Sequence, residues 1–320
     1  MVCYRSARFI VALALLCMLG LFTPVVYAAQ SQALAVIYPN LQEPYRGVFS
    51  SIIEGIQQQA KVAVSLYPID DGAVNLQLAE KINLTNTQAI IALGRTGLEA
   101  AEQWRGKIPI VVGGLLLAED KNGRGLAGIS LAANPVTLLA HLKQLAPSVK
   151  RVHVVYSSES SKWLVNLAQD AIGKFNFELH VYKSDDIKSS ALIYRDIFNK
   201  SHPQEDAIWL LPDPVAIDSR IILPLLLKEA WNNNVLLFSS NPAQVKRGVL
   251  FALFPDNKSM GMSLAKMAES YIGDDISNMS NEFVPLNDLQ AAINVRTAEH
   301  IGLPLSNEER RDYVLIFPAP

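Results

Sequence analysis

The sequence predicts an α/β protein of two Rossmann-like lobes, each a mostly parallel sheet covered by helices. Three observations carry this. Short apolar runs recur along the chain and are continuous rather than alternating, as in strands buried on both faces. Segments with apolar residues at helical spacing lie between them. The nine runs exceed what one sheet usually holds, and the chain divides naturally near LAGISLAANP (126–135), with about four runs before it and five after.

In chain order, the first lobe takes strands at ALAVIYP (33–39), VAVSLYPI (62–69), AIIALG (89–94) and IPIVVGG (108–114). The helix over 47–59 places Val48, Ile52 and Ile56 on one stripe, and a second helix follows over 74–84. The third strand runs into GRTGLEA (94–100), where Gly94 and Gly97 frame Arg95 and Thr96 at the start of a helix. After the division, Asn134 caps a helix over 135–145 with Pro135 in its first turn. Strands at 152–158, 178–184, 207–213, 235–240 and 249–255 then alternate with helices over 162–175, 191–200, 219–233 and 260–273. The expected domains are a leader over 1–28, lobe one over 29–130, lobe two over 131–254, and a segment over 255–320 that crosses back to lobe one and ends the chain.

The leader rests on Arg5 and Arg8, the apolar run from Phe9 to Phe22, and Val26 to Ala28 with small residues where a signal peptidase reads. Cleavage is placed after Ala28, against the alternative of a retained anchor. Cys17 follows Leu15 and Leu16, not the small residue a lipidation site wants. Both cysteines, Cys3 and Cys17, lie in this leader, so the chain beyond it has no disulfide, thiolate metal site or Cys nucleophile. It carries 26 basic residues against 30 acidic ones, a net charge of −4, with no long basic run. Nucleic acid and anionic membrane are poor partners for that surface. The apolar stretch IILPLLLKEA (221–230) is too short and too interrupted to span a bilayer.

Open α/β sheets bind ligands beyond the carboxyl ends of their strands, and in two lobes those ends face each other across a cleft. The rule nominates Asn40 and Tyr45 after the first strand, although Tyr45 has the alternative role of stapling the helix start. It nominates Arg95 and Thr96 after the third. The Gly94–Gly97 turn lacks the Lys-Ser/Thr pair of a phosphate loop and the nucleophile of a catalytic elbow. As the lip of a cleft it offers the Arg95 fork and free N–H groups to a carboxylate, with Thr96 as helix cap. Arg95 also has two alternatives, a solvated turn residue or an ion pair with Asp213. In lobe two, Ser157 and Ser158 are hydrogen-bond donors or N-caps, Asp213 is an acceptor for an amino group, and Ser240 and Asn241 follow the strand over 235–240. Asn241 is equally suited to capping a helix begun by Pro242. Asp256 is expected at a hinge.

Enzyme chemistry finds no constellation. His141, His153, His180, His202 and His300 have no metal-ligand spacing, and GxSxG is absent. The adjacent acids Asp70–Asp71, Asp185–Asp186 and Asp274–Asp275 read as solvated turn caps.

The order of several segments resembles a known family. IALGRTGLEAAEQWRGKIPIVVGG, GLAGISLAANP, LKQLAPSVKRVHVVYSSES, AIWLLPDPVAIDS, NVLLFSSNPAQVKRGVLFAL, MGMSLAKMAESYIGDD and LQAAINVRTAEHIGLPL are similar, in that order, to stretches of the periplasmic solute-binding proteins of ABC transporters. The match is to the type I two-lobed arrangement and to the subfamily that includes aromatic amino acid binders. It departs at Leu126–Ala127, where the family has Val-Thr, at Pro214, where Asn often follows the aspartate, and at Arg95 in a turn that is usually small and neutral. The resemblance implies a monomeric periplasmic binding protein, not an enzyme, with no cofactor and no metal. It would capture a small solute, an amino acid or similar zwitterion being the first candidate, and deliver it to an ABC permease. The alternative is a periplasmic sensor signalling to a membrane receptor or histidine kinase without transport.

Overall fold

The computed structural model describes residues 33–319 except 44, 71–75, 85, 117–125, 274–278 and 280–281. The leader, Asp71 and the Asp274–Asp275 pair lie outside the described residues. The chain opens with β1 (Ala33–Pro39), α1 (Tyr45–Gln59), β2 (Ala63–Ile69), α2 (Leu76–Leu84), β3 (Thr87–Leu93), α3 (Gly94–Ala101), β4 (Ile110–Leu115) and β5 (Gly128–Ala133). It continues through α4 (Pro135–Leu145), β6 (Arg151–Tyr156), α5 (Glu159–Ala171), β7 (Glu178–Lys183), α6 (Ile187–Lys200), β8 (Asp206–Leu210), α7 (Ile222–Asn233), β9 (Leu236–Ser239), α8 (Pro242–Arg247) and β10 (Phe251–Pro255). It closes with α9 (Asn257–Ser270), β11 (Phe283–Leu286), β12 (Leu289–Asn294), α10 (Val295–His300) and β13 (Leu315–Phe317).

These strands form two sheets, ordered β11-β5-β4-β3-β1-β2 and β13-β12-β10-β9-β8-β6-β7. Neighbours pair in parallel except β12, which runs against β10. The continuous apolar runs have a direct cause. In β1, Leu34 and Val36 enter one core cluster while Ala35 and Ile37 enter the cluster on the other face. In β8, Ala207 and Trp209 face one layer, Ile208 and Leu210 the other. Both faces carry helices, so such strands are apolar through most of their length, and a polar residue such as Asp206 at the start of β8 is buried only with partners.

The nine expected strands are all present, and four more complete the sheets: β5, β11, β12 and β13. Each lacks a long apolar run. Pro285 removes a ladder N–H from the edge strand β11, whose pairing with β5 shifts register between Val284 and Leu286. The stretch read as a division between lobes is itself a strand of the first sheet, so the chain leaves lobe one at Asn134. Caps move other boundaries. Ser158 starts α5 at Glu159, and Asp186 starts α6 at Ile187 through a capping box with Ser189. Asn134 caps α4 with its side chain accepting from the Val136 N–H, and Pro135 follows as expected.

Among the described residues the chain passes between lobes at Asn134, at Asp256 and at Asn287–Asp288. These crossings are tied to one another. Asn134 Nδ2 donates to Asn287 Oδ1 at 2.7 Å, Asn134 N to Leu286 O at 2.9 Å, and Asp256 N to Asp288 O at 2.9 Å. After the second crossing, α9 returns to lobe one and packs along α1. The two helices touch backbone to backbone. A Cβ added to Gly55 would land on the carbonyl of Lys258, and one added to Gly261 on the carbonyl of Ile52.

Candidate functional site

The carboxyl ends of both sheets open on one cavity of about 380 Å³. Lobe one contributes Val48 from α1, Leu116 after β4 and Leu131 of β5. Lobe two contributes Leu211 and Pro212 after β8, with Ser240, Asn241 and Gln244 around the start of α8. Phe254, Pro255 and Asn257 line it from the second crossing. The walls are mainly apolar, with a few amide and hydroxyl groups on the lobe-two side, and the size suits a small organic molecule. Gln244 Oε1 is buried yet accepts no hydrogen bond from the described protein. A buried acceptor left this way costs free energy until something donates to it.

Of the nine nominated residues, Ser240 and Asn241 line this cavity; Asn40, Tyr45, Arg95, Thr96, Ser157, Ser158 and Asp213 are not among its described lining residues. Asn241 also caps α8, its Oδ1 accepting from the Ala243 N–H at 2.9 Å. Asn40 donates to Asp70 Oδ1 at 2.9 Å on the surface. Tyr45 is 66% exposed at the first position of α1, so it does not staple that helix.

The glycine turn has a steric origin. Gly94 adopts φ +68°, and a Cβ there would approach the Phe49 ring. Gly97 lies so close to the Ile37 carbonyl that no larger residue fits. Arg95 is held out into solvent between them. Thr96 is not the cap: α3 begins at Gly94, with Leu93 as N-cap and no side-chain cap bond. The helix starts one turn earlier than a threonine cap would require.

Ser157, Ser158 and Asp213 do come together, as a buried latch. The Asp213 carboxylate accepts from Ser157 Oγ at 2.6 Å, Ser157 N at 2.7 Å, Ser158 N at 3.2 Å, Ala216 N at 3.0 Å and Val215 N at 3.2 Å. It is 2% exposed and forms no ion pair with Arg95. Burial pushes its pKa up, but the hydrogen bonds from Ala216 and Ser157 overcome this and bring it down to about 2. The residue holds the β6 and β8 loops together and has little capacity left for a ligand amino group.

Sequence reasoning missed the apolar wall. Leu116, Leu131, Leu211 and Phe254 look like any core residue in one dimension. The only available signal was position, since Leu211 and Pro212 directly follow a buried strand.

Two α/β lobes, three tied crossings and an apolar chamber at the strand ends define a two-lobed solute-binding protein. Residues 38–309 match the family described as ABC transporter substrate binding protein, and the chain belongs to that family. A protein of Clostridioides difficile (strain R20291) named "Tyrosine-binding protein" is 21% identical over 292 residues, which cover 87% of this chain and 82% of that one. Among solved structures, the ligand-free, open form of a substrate binding protein with adhesive properties from Clostridium difficile is similar, with TM-score 0.63 and 16% identity over 89% of this chain and 99% of that one. An ABC domain in complex with L-Trp from Streptococcus pneumonia aligns with TM-score 0.51 and 16% identity over 90% of this chain and 100% of that one. The family and these neighbours are substrate-binding proteins, not enzymes.

Proposed function

We propose that this protein captures an amino acid with an aromatic or bulky apolar side chain between its lobes and delivers it to an ABC permease. It would act as a monomer in the periplasm, after loss of its leader at Ala28. The observation that carries the reading is the interlobe chamber: apolar walls for a side chain, with the Gln244 amide, whose oxygen has no partner among the described residues, on its lobe-two side. The name of the tyrosine-binding relative and the L-Trp complex of the neighbour support that ligand class. Ser240 and Asn241 would add polar contacts, and Arg95 would meet the ligand carboxylate as the lobes close. Closure demands that the solute bind the closed form more tightly than the open one.

The test is calorimetric titration of refolded, ligand-stripped protein with L-tyrosine, L-tryptophan, L-phenylalanine, L-glutamate and D-glucose. Saturable heat with the aromatic amino acids alone is expected, and it should vanish in Leu116→Trp, which crowds the chamber from a 42% exposed position, while circular dichroism is unchanged. Binding of the sugar or glutamate alone, or of none of the five, would overturn the proposed ligand class.

A further inference from the structure

A second cavity, of about 440 Å³, lies in lobe two at the pole opposite the interlobe chamber. It is framed by the C-terminal half of α7, the end of α8 and the start of α10. Lys228, Lys246, Arg247 and Arg296 all line it, and no carboxylate does among the described residues. Lys228, Lys246, Arg247 and Arg296 take part in no ion pair within the described protein. Four cations without a carboxylate partner among the described residues, one of them (Arg247) donating from Nη1 to Ser219 O at 3.0 Å, stand out around one hollow in a chain whose formal net charge is −2.

The frame is built rather than incidental. Asn294, 7% exposed, donates from Nδ2 to Val245 O at 2.8 Å and accepts from Thr297 N at 3.0 Å. Thr297 Oγ1 donates to Gly248 O at 3.0 Å, so α10 is fastened to the end of α8. Trp231 is 40% exposed and is stacked on His300 with ring centroids 3.6 Å apart. His300 Nε2 donates to the Trp231 carbonyl at 2.9 Å, and the Arg296 guanidinium lies 5.7 Å from the indole centroid. Cations gathered on fixed elements repel one another; water and salt screen that repulsion, and a bound anion turns it into attraction.

We propose that this pocket is a binding site for a small polyanion, a molecule carrying at least two phosphate or carboxylate charges, independent of the interlobe solute. The volume and concavity fit a compact ligand, and Arg247 and Arg296 offer planar forks to oxyanions.

The probes are pyrophosphate and citrate, titrated calorimetrically into the protein with and without its amino acid ligand. Intrinsic fluorescence is followed at the same time, because Trp104 and Trp209 are buried and the half-buried Trp163 packs on Phe283 away from this pocket, while Trp231 is open to it. Saturable binding is expected, with a fluorescence change lost in Trp231→Phe. Affinity should fall about tenfold in Lys246→Gln/Arg296→Gln, and should weaken as salt rises from about 50 mM to about 500 mM. All substitutions are on exposed side chains, and circular dichroism checks their folding. A parallel arm uses phosphatidylglycerol and phosphatidylcholine vesicles. The proposal is overturned by the absence of saturable binding of either probe, by binding that the double variant leaves unchanged, or by binding to anionic vesicles alone.

Discussion

The carboxylate of Asp213 is surrounded by N–H groups of Ser157, Ser158, Val215 and Ala216 and by the Ser157 hydroxyl. These donors stabilise the charged form, which holds its pKa at about 2 against an ordinary 3.8. A depressed folded-state pKa contributes stability above the unfolded value, and that contribution is lost as pH falls toward 2. Asp213→Asn is therefore expected to cost about 2 kcal/mol in urea unfolding at pH 7, and much less near pH 2, where protonation of the wild-type carboxyl is under way. Equal stabilities at pH 7 would show that the latch contributes nothing. Arg95 has the opposite environment: solvent-exposed in the first turn of α3, with no ion-pair partner among the described residues. Under the proposed function, Arg95→Ala should weaken amino acid binding about tenfold by calorimetry, as loss of a charge-assisted contact does, with no change in melting temperature of the unliganded protein. Unchanged affinity would remove Arg95 from the site.

The crossing of α1 and α9 depends on two positions without side chains. Gly55 faces the Lys258 carbonyl and Gly261 the Ile52 carbonyl, each too close for a Cβ. Gly261→Val must push the helices apart and loosen Ile52, Ile56, Met260 and Leu264, all fully buried between them and the sheet. The expected loss is about 3 kcal/mol or more, read as a lower urea midpoint. An unchanged midpoint would mean that the helices can separate freely. Neither glycine announced this role in the sequence, where each looks like a weak point inside a helix. The same limit governs the sheets. Strands buried on both faces, such as β1 and the Ala207–Leu210 stretch of β8, are legible because they are continuously apolar. β5, β11 and β13 are not, because Gly128, Ser130 and Pro285 interrupt them or they are only three residues long. Overlooking β5 also hid Leu131 and Ala132, so the strand-end rule found the polar rim of the cavity at Ser240 and Asn241 but not its apolar wall.

Asp206 and Asp213, the carboxyls held furthest below their ordinary range, both belong to the second sheet or its loops. Asp206 is fully buried; burial raises its pKa, but Arg151 at 2.7 Å, the His202 N–H and His153 at 2.8 Å reverse the shift. His153 lies in the same lobe and is itself shifted downward, burial outweighing its bond to Asp206. A depressed histidine pKa means that the unfolded chain binds the proton more readily, so this contribution too is lost as pH falls below the ordinary 6.5. All three groups thus act with the same sign. Between pH 4 and about 2 the second lobe should therefore open while the first still holds, the tied crossings at Asn134, Asp256 and Asn287 marking the boundary. Brief pepsin digestion at pH 3, with cut sites read by mass spectrometry, is expected to give first cleavages within 135–255 and 289–317 and to spare 33–133. First cleavages in lobe one, or simultaneous loss of both, would show that the hinge couples the lobes more strongly than the buried carboxylates separate them.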